Sequence, residues 1–479
     1  MVQLRGVVVV AFILMLGAPV ARAGGPTMVI GAAEDAVKQD SIAASKAKLD
    51  LLRLGGLNAV AITSVWAPGL TAPVPAEQAV LSNLEAASKL AGVRVYVTVT
   101  QFGSKTTPLT EKDQTDFAAY AAAVARAYPS FKDIIVGNEP NLNRFWLPQF
   151  AADGSDAAAV AYEQLLAHTY DALKAVSPSI QVIGVAVSPR GGDKPGGSRP
   201  THSPTTFIRD VGQAYRASGR SLPLMDAFDI HAYEDDSSIP PTATHPNTTT
   251  IALADYDKLV ALLGEAFDGT AQRGSTLPVF YGEFGVEAQI PPAKAGLYTG
   301  RELTSTVKPV DEATQAAYYQ QALTIAYCQP NAAAFMLFHS FDETDLDRWQ
   351  SGLYYADGTP RPSRDVFAKA ARAARGGVLV KCPGLALTPN AKVTYPSKQP
   401  LRLGLTCTID CNVYARLEKL PNHSTTLAVS GHALGGAPST IAFPDRRVRA
   451  GSYRYTVRLT APVNVGPPRV LTSQTVILK

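Results

Sequence analysis

The sequence predicts an α/β protein, a (β/α)8 TIM barrel followed by a small all-β sandwich, and three observations carry that prediction. Eight short apolar runs alternate with helix-patterned segments between Thr27 and about Arg375, which is the number of β-then-α units that closes such a barrel. After Cys382 the texture changes to short alternating runs broken by Pro, Gly and Asn, the pattern of antiparallel strands. Two of the eight apolar runs stop abruptly at a glutamate, Glu139 and Glu283, with Gly or Pro beside it. A fold alone requires no carboxylate there.

The chain has 479 residues, 46% hydrophobic and 18% charged, more than one ordinary domain holds, so two domains are expected. Residues 1–23 carry Arg5, an apolar run from Gly6 to Leu16, and the small-x-small site Ala21-Arg22-Ala23. This reads as a secretory signal peptide, giving a secreted, extracellular protein that starts near Gly24. No other stretch is long and apolar enough to cross a bilayer. The expected division is therefore 1–23 signal peptide, 24–382 barrel and 383–479 sandwich.

The strand-like runs are Thr27 to Gly31, Asn58 to Ser64, Val93 to Thr100, Asp133 to Gly137, Ile180 to Val187, Ala227 to His231, Pro278 to Gly282 and Ala333 to His339. Apolar residues at helical spacing mark Ser41 to Leu54, Glu77 to Leu90, Thr115 to Tyr128, Ala157 to Val176, Ile251 to Phe267 and Glu312 to Tyr327. Barrels typically need about 250 residues before insertions, so the surplus belongs in loops. Ser188 to Pro204 and Gly285 to Pro309, both directly after strands, read as the longest. In the tail, strand-like segments run from Lys392 to Tyr395, Leu401 to Cys407, Val413 to Leu417, Thr426 to Val429, Tyr453 to Leu459 and Val470 to Leu478.

Four cysteines suit an oxidising compartment and allow three pairings. Close spacing favours Cys407 with Cys411, leaving Cys328 with Cys382; no histidine lies at zinc-ligand spacing from the close pair. From residue 383 onward twelve Lys and Arg face three Asp and Glu, a net +9 that leaves −5 before it out of a total of +4. The basic charge thus belongs to the accessory domain, where it serves attachment to a cell wall or other anionic polymer, or keeps exposed strand faces soluble. Nucleic acid is not expected as a partner, because that face lacks interleaved aromatics.

The glutamates sit in Gly137-Asn138-Glu139-Pro140-Asn141 and Tyr281-Gly282-Glu283-Phe284-Gly285. They can meet only if the fourth and seventh strands bring them to one mouth of a closed sheet, and catalytic groups of such barrels gather where strands end at the C-terminal face. An Asn-Glu pair closing strand four and a second Glu closing strand seven resembles the retaining glycoside hydrolases of clan A, and the likeness spans the whole barrel. The resemblance implies Glu139 as acid/base, Asn138 as ligand of the sugar 2-hydroxyl, and Glu283 as nucleophile. Physical reasoning reaches the same pair independently. Retention needs one carboxylate to attack the anomeric carbon and one protonated carboxyl for the leaving oxygen, about 5–5.5 Å apart, and repulsion at that range raises one pKa.

Strand six ends in Asp229-Ile230-His231-Ala232-Tyr233, and alternation puts His231 and Tyr233 on one side. In clan A a residue after strand six contacts the nucleophile; Tyr233 suits that role because a phenol donates to a carboxylate, and His231 either binds sugar or fills the core. Many clan A enzymes carry a tryptophan at the end of strand eight where this chain has Phe338-His339. An arginine near the early strand ends is likewise missing. Trp66, Trp146 and Trp349 each follow a strand, so they are candidates for stacking on sugar rings, or else pin their own loops. Gln101, beyond strand three, is a candidate hydrogen-bonding residue.

Two acidic runs, Glu234-Asp235-Asp236 and Asp342-Glu343-Thr344-Asp345-Leu346-Asp347, lack the glycine and distal glutamate of an EF-hand and read as solvated loops rather than calcium sites. Neither metal nor organic cofactor is expected. The reading is a secreted, monomeric retaining glycoside hydrolase acting on β-linked glycosides or polysaccharides. A carbohydrate-binding barrel without catalysis, and a transglycosylase using the same site, are its rivals.

Overall fold

The computed structural model describes residues 25–302, 304–377, 389–407, 411–433, 438–460 and 468–478. The expected signal peptide and Cys382, the expected partner of Cys328, lie outside the described residues.

Eight strands, β1 (Val29–Ala33), β2 (Ala59–Trp66), β3 (Arg94–Gln101), β4 (Asp133–Val136), β5 (Gln181–Val187), β6 (Ala227–His231), β7 (Val279–Phe284) and β8 (Ala332–Phe338), pair in parallel and in chain order, and β8 returns to β1 to close a barrel. Both faces of each strand are covered, which is why the runs read as apolar without alternation. Outward residues such as Val60, Ile62, Val97 and Val99 pack in the layer beneath the helices. The lumen takes Ala59, Ala61, Ala227 and Ala334 against a few large side chains. Among these, Tyr96 and Phe280 meet with ring centroids 5.0 Å apart. Small residues make room for large ones: a Cβ on Gly31 would fall 2.4 Å from Met336 Sδ and 2.7 Å from the Ala59 carbonyl oxygen.

The helices run over Ile42–Leu54, Pro75–Ala91, Glu111–Ala127, Ala157–Val176, Pro204–Ser218, Tyr256–Phe267, Glu312–Cys328 and Pro362–Arg375. Two differences from expectation have local causes. The pattern beginning at Ile251 becomes helix only at Tyr256, because Asp255 accepts the amides of His245 and Ala252 and holds that stretch as a loop. The long loop after β5 ends in the helix Pro204–Ser218, with Ser203 Oγ taking the Thr206 amide at 3.3 Å and proline at the first helical position.

The tail forms β9 (Ala391–Thr394), β10 (Arg402–Cys407), β11 (Cys411–Lys419), β12 (Ser424–Ala433), β13 (Pro438–Ala442), β14 (Gly451–Thr460), β15 (Arg469–Thr472) and β16 (Val476–Leu478). One sheet runs β13-β10-β9 and the other β12-β11-β14-β15 with β16 on β14. Leu403, Leu405 and Ile441 of the first share a core with Val413, Ala415, Tyr455 and Val457 of the second, as a sandwich requires. Cys407 and Cys411 form the local disulfide. Among the described residues, no helix is long and apolar enough to cross a membrane.

Candidate active site

Glu139 is carried on a turn that the sequence makes costly and the surroundings hold. After β4, Gly137 takes φ 79° and Glu139 itself φ 42°, a left-handed conformation that costs a non-glycine residue about 1–3 kcal/mol. The Glu139 amide donates to the Ala186 carbonyl at 2.8 Å. Asn141 is fully buried; its side chain accepts the Ser188 amide at 2.9 Å and donates to the His202 carbonyl at 3.0 Å. The turn after β4 is thereby stapled to the loop after β5.

Glu283 reaches the lumen through a register slip. Ile230 pairs with Tyr281, but His231 pairs with Glu283, so β7 holds one extra residue, Gly282. Phe280 faces the lumen and the Tyr281 hydroxyl points away to Gln329. Strict alternation beyond Gly282 would send Glu283 outward too; the bulge re-aims it inward, beside His231. Gly282 is required at the slip: a Cβ there would lie 2.4 Å from Asp229 Oδ1, the atom that accepts the Gly282 amide at 3.0 Å.

His231 joins the two glutamates. Its Nδ1 stands 3.0 Å from Glu139 Oε1 and 3.3 Å from Glu283 Oε2, and one oxygen of each carboxylate and this nitrogen all lie within 4.8 Å of one another. The Tyr233 hydroxyl donates to Glu283 Oε2 at 2.8 Å. Asn138, Thr98 and His339 line the same cavity. Among the described residues this trio is the one group close enough to share a metal ion. A proton on His231 Nδ1 meets the same two oxygens without one.

Burial opposes the imidazolium, but Glu283, Glu139 and Asp229 outweigh it and raise His231 to about 10. Asp229, fully enclosed, is raised to about 7, first by burial and then by Glu283 and Glu139. Burial and the repulsion of Glu139 likewise raise Glu283, while His231 and the Tyr233 hydroxyl pull it down. Three carboxyls around one imidazolium cannot all be ionised cheaply, so the cluster holds a further proton near neutrality, a property of the group rather than of one member. The upward direction at Glu283 runs against a permanently ionised carboxyl. Tyr233 and His231 are the groups that restore its charge.

Two features escaped sequence reasoning. Glu34, just past β1, is buried, with Oε1 on the Ala36 amide at 2.9 Å and Oε2 on the Ser340 and Phe341 amides at 3.0 and 3.1 Å, so it clasps the ends of β1 and β8. Its signal is the same as for Glu139 and Glu283, an apolar run halted by a carboxylate. His339 Nδ1 reaches the Ala33 carbonyl at 2.6 Å across the same seam. Asp229, a lone acid inside an apolar strand, is the other.

The tryptophans separate. Trp349 packs at 5.1 Å from the Tyr233 ring and edge-on to Phe338 at 5.2 Å, beside the residues that contact Glu283. Trp66 and Trp146 do not line the cavity, and both correct the stacking expectation. Trp66 is fully buried against Phe117 with its N–H on the Leu70 carbonyl, and Trp146 is buried against Tyr162. Gln101 is also buried, donating to the Phe145 carbonyl at 2.7 Å, so it ties the end of β3 to the loop after β4. In the second acidic run Asp342 is taken by Arg361 at 2.6 Å and Tyr298 at 2.6 Å, and Glu343 accepts the Trp349 amide at 3.1 Å. These contacts anchor the loop that carries Trp349.

No family model and no curated protein matches this chain. Its solved structural neighbours are glycoside hydrolases with the clan A type of barrel. GH5_18 from Streptomyces cattleya, solved in complex with GlcNAc, aligns at TM-score 0.50 and 16% identity over 77% of this chain and 84% of that one. The GH39 enzyme from Xanthomonas axonopodis pv. citri aligns at 0.47 and 14%, over 88% and 93%. A Bacteroides uniformis β-glucuronidase aligns at 0.48 and 12% over 95% of this chain, which spans only 47% of that protein. At these identities the likeness establishes the barrel fold alone.

Proposed function

We propose that this chain is a retaining glycoside hydrolase acting on β-linked glycosides or polysaccharides, with Glu139 as acid/base and Glu283 as nucleophile. One observation carries the reading: oxygens of the two carboxylates approach within 4.8 Å at the barrel mouth, bridged by His231. That is the close spacing of a double displacement, shorter than the about 6.5–9.5 Å of an inverting pair.

In the first step a Glu283 oxygen bonds to the anomeric carbon as the glycosidic C–O bond breaks and the leaving oxygen takes the proton of Glu139. In the second, Glu139 removes a proton from water, the water oxygen bonds to the anomeric carbon, and Glu283 departs as carboxylate. The Tyr233 hydroxyl holds the charge on Glu283 before attack and after release. His231 tethers both carboxyls in one geometry. The leader-like residues 1–23 support secretion, and the basic charge from residue 383 onward supports attachment to an anionic polymer.

Incubation with a panel of aryl β-glycosides and β-linked polysaccharides tests the activity, and proton NMR of the first-formed product tests the stereochemistry. Turnover with retained configuration is expected. Inverted product would overturn the mechanism, and no turnover of any substrate would favour a carbohydrate-binding barrel.

A further inference from the structure

His339 lines the catalytic cavity just past the end of β8, and its neighbours hold it firmly there. Its amide donates to Ser351 Oγ at 3.0 Å, and the next two amides, of Ser340 and Phe341, are taken by Glu34 Oε2 at 3.0 and 3.1 Å. One face of the imidazole is covered by Phe338, whose ring centroid lies 3.7 Å away. Phe338 is itself packed against Tyr233 and Trp349 at 6.2 and 5.2 Å. A side chain held in this way presents one fixed edge to a ligand.

The hydrogen-bonding character of that edge follows from the other ring nitrogen. Nδ1 lies 2.6 Å from the Ala33 carbonyl oxygen. A carbonyl cannot donate, so the proton of the uncharged ring sits on Nδ1 and Nε2 keeps its lone pair. Nε2 has no hydrogen-bond partner among the described residues, and it does not belong to the polar atoms sealed from solvent; the residue as a whole is half-buried. The contact with Ala33 therefore does two things. It joins β1 to β8, and it sets the tautomer that leaves an acceptor open to the cavity. A ligand that completes this acceptor must bring a donor, which a sugar hydroxyl supplies.

We propose that His339 is a specificity-determining residue: its Nε2 accepts the proton of one hydroxyl, away from the anomeric carbon, of the sugar that Glu283 attacks. The proposal rests on the glycosidase reading above. A sugar without that hydroxyl leaves Nε2 without a donor inside the occupied cavity, and sites built to bond a hydroxyl discriminate against analogues that lack it. The substrates are therefore glycosides whose glycone carries this hydroxyl free rather than substituted.

The perturbation is His339→Asn, because an asparagine amide nitrogen takes the place of Nδ1 and keeps a donor for the Ala33 carbonyl while Nε2 is deleted. Wild type and variant, both as the full chain, are given the aryl β-glycoside of glucose, galactose or mannose that wild type takes best, together with its 3-, 4- and 6-deoxy and deoxyfluoro forms. At one position, loss of the hydroxyl should cost wild type about tenfold in kcat/KM, the size of one hydrogen bond, and should cost the variant less than about twofold. At the other two positions the losses should be equal in the two proteins. Each comparison is a ratio of two substrates in one preparation, so a smaller folded fraction of the variant cancels. Fluorine cannot donate, so at the sensitive position the deoxyfluoro form should show the same wild-type-to-variant difference as the deoxy form. Losses that are equal in both proteins at every position would make His339 a clasp alone and overturn the proposal. A difference that disappears with fluorine would overturn acceptance by Nε2 in favour of donation by the ring. If no glycoside turns over, calorimetric titration of the corresponding methyl glycosides reads the site without chemistry. Position-selective weakening by His339→Asn would then retain the role of His339 and reject the glycosidase, whereas binding that is absent, or weakened equally across the series, would reject the role of His339.

Discussion

Tyr233→Phe is the sharpest test of how Glu283 keeps its charge. The substitution deletes one oxygen and leaves the ring, so the contacts with Phe338 at 6.2 Å and Trp349 at 5.1 Å remain. What is lost is a 2.8 Å hydrogen bond from a buried phenol to Glu283 Oε2. Hydrogen bonds to charged groups contribute about 1.5–3 kcal/mol, and each 1.36 kcal/mol is a factor of ten. The loss in kcat/KM on an aryl glycoside should therefore be about 10- to 150-fold. His231 Nδ1, 3.3 Å from the same oxygen, sets the lower end, because it can take up part of the donation. The pH profile supplies the sign. Tyr233 is one of the groups that lower Glu283, so removing it raises Glu283 further, and the acidic limb of kcat/KM must move to higher pH. A Tyr233→Phe enzyme with an unmoved acidic limb and less than about threefold loss would refute the claim that the phenol sustains the nucleophile.

Other perturbations divide the roles. Glu283→Ala should abolish turnover even of aryl glycosides with good leaving groups, whereas Glu139→Ala should spare those more than natural glycosides; equal losses on both substrate types would reverse or remove the assignment. Asp229→Asn should stabilise the protein at neutral pH. Burial raises Asp229 from about 3.8 to about 7, so its contribution is fully present below about 3.8 and is lost as pH rises toward 7; the variant's melting temperature should fall less across that window. Arg361→Met leaves Asp342 buried without its partner, since both side chains are fully enclosed, and should cost about 3–5 kcal/mol by denaturant unfolding. EDTA should leave kcat/KM unchanged, and loss restored by a divalent cation would show that the His231 trio works through a metal.

The barrel was legible because parallel strands are buried on both faces and therefore spell themselves as continuous apolar runs. Ala157 to Val176 and Ala227 to His231 were read to the residue. The pair of glutamates was legible for the complementary reason, since apolar packing does not account for a carboxylate that ends such a run, although Glu34 shows that a backbone clasp can. Side-chain direction was not. The bulge at Gly282 that turns Glu283 inward depends on the neighbouring strand's register, which spacing within one strand cannot report. The same limit applies to Trp66, Trp146 and Gln101, all on the correct loops or strand ends and all turned into packing contacts. Glu34 went unread because the first strand was ended at Gly31, two residues before its observed end at Ala33. Moving that boundary would have exposed a third apolar run stopped by an acid.

The distribution of protons at the mouth follows from where the charges are rooted. Glu139, Asp229, His231 and Glu283 come from three strand ends and converge above a lumen filled with alanine, isoleucine and aromatic side chains. In such surroundings adding or removing a net charge is expensive, whereas moving a proton within the cluster is not. The proposed double displacement has that property. In that proposal the proton that Glu139 gives to the leaving oxygen is replaced by one taken from water in the second step, and the charge that Glu283 loses on attack returns on release. His231 can remain an imidazolium throughout, held by whichever carboxylate is ionised at each stage. Its position between Nδ1 partners at 3.0 and 3.3 Å is the arrangement that allows the negative charge to pass from one glutamate to the other without leaving its reach.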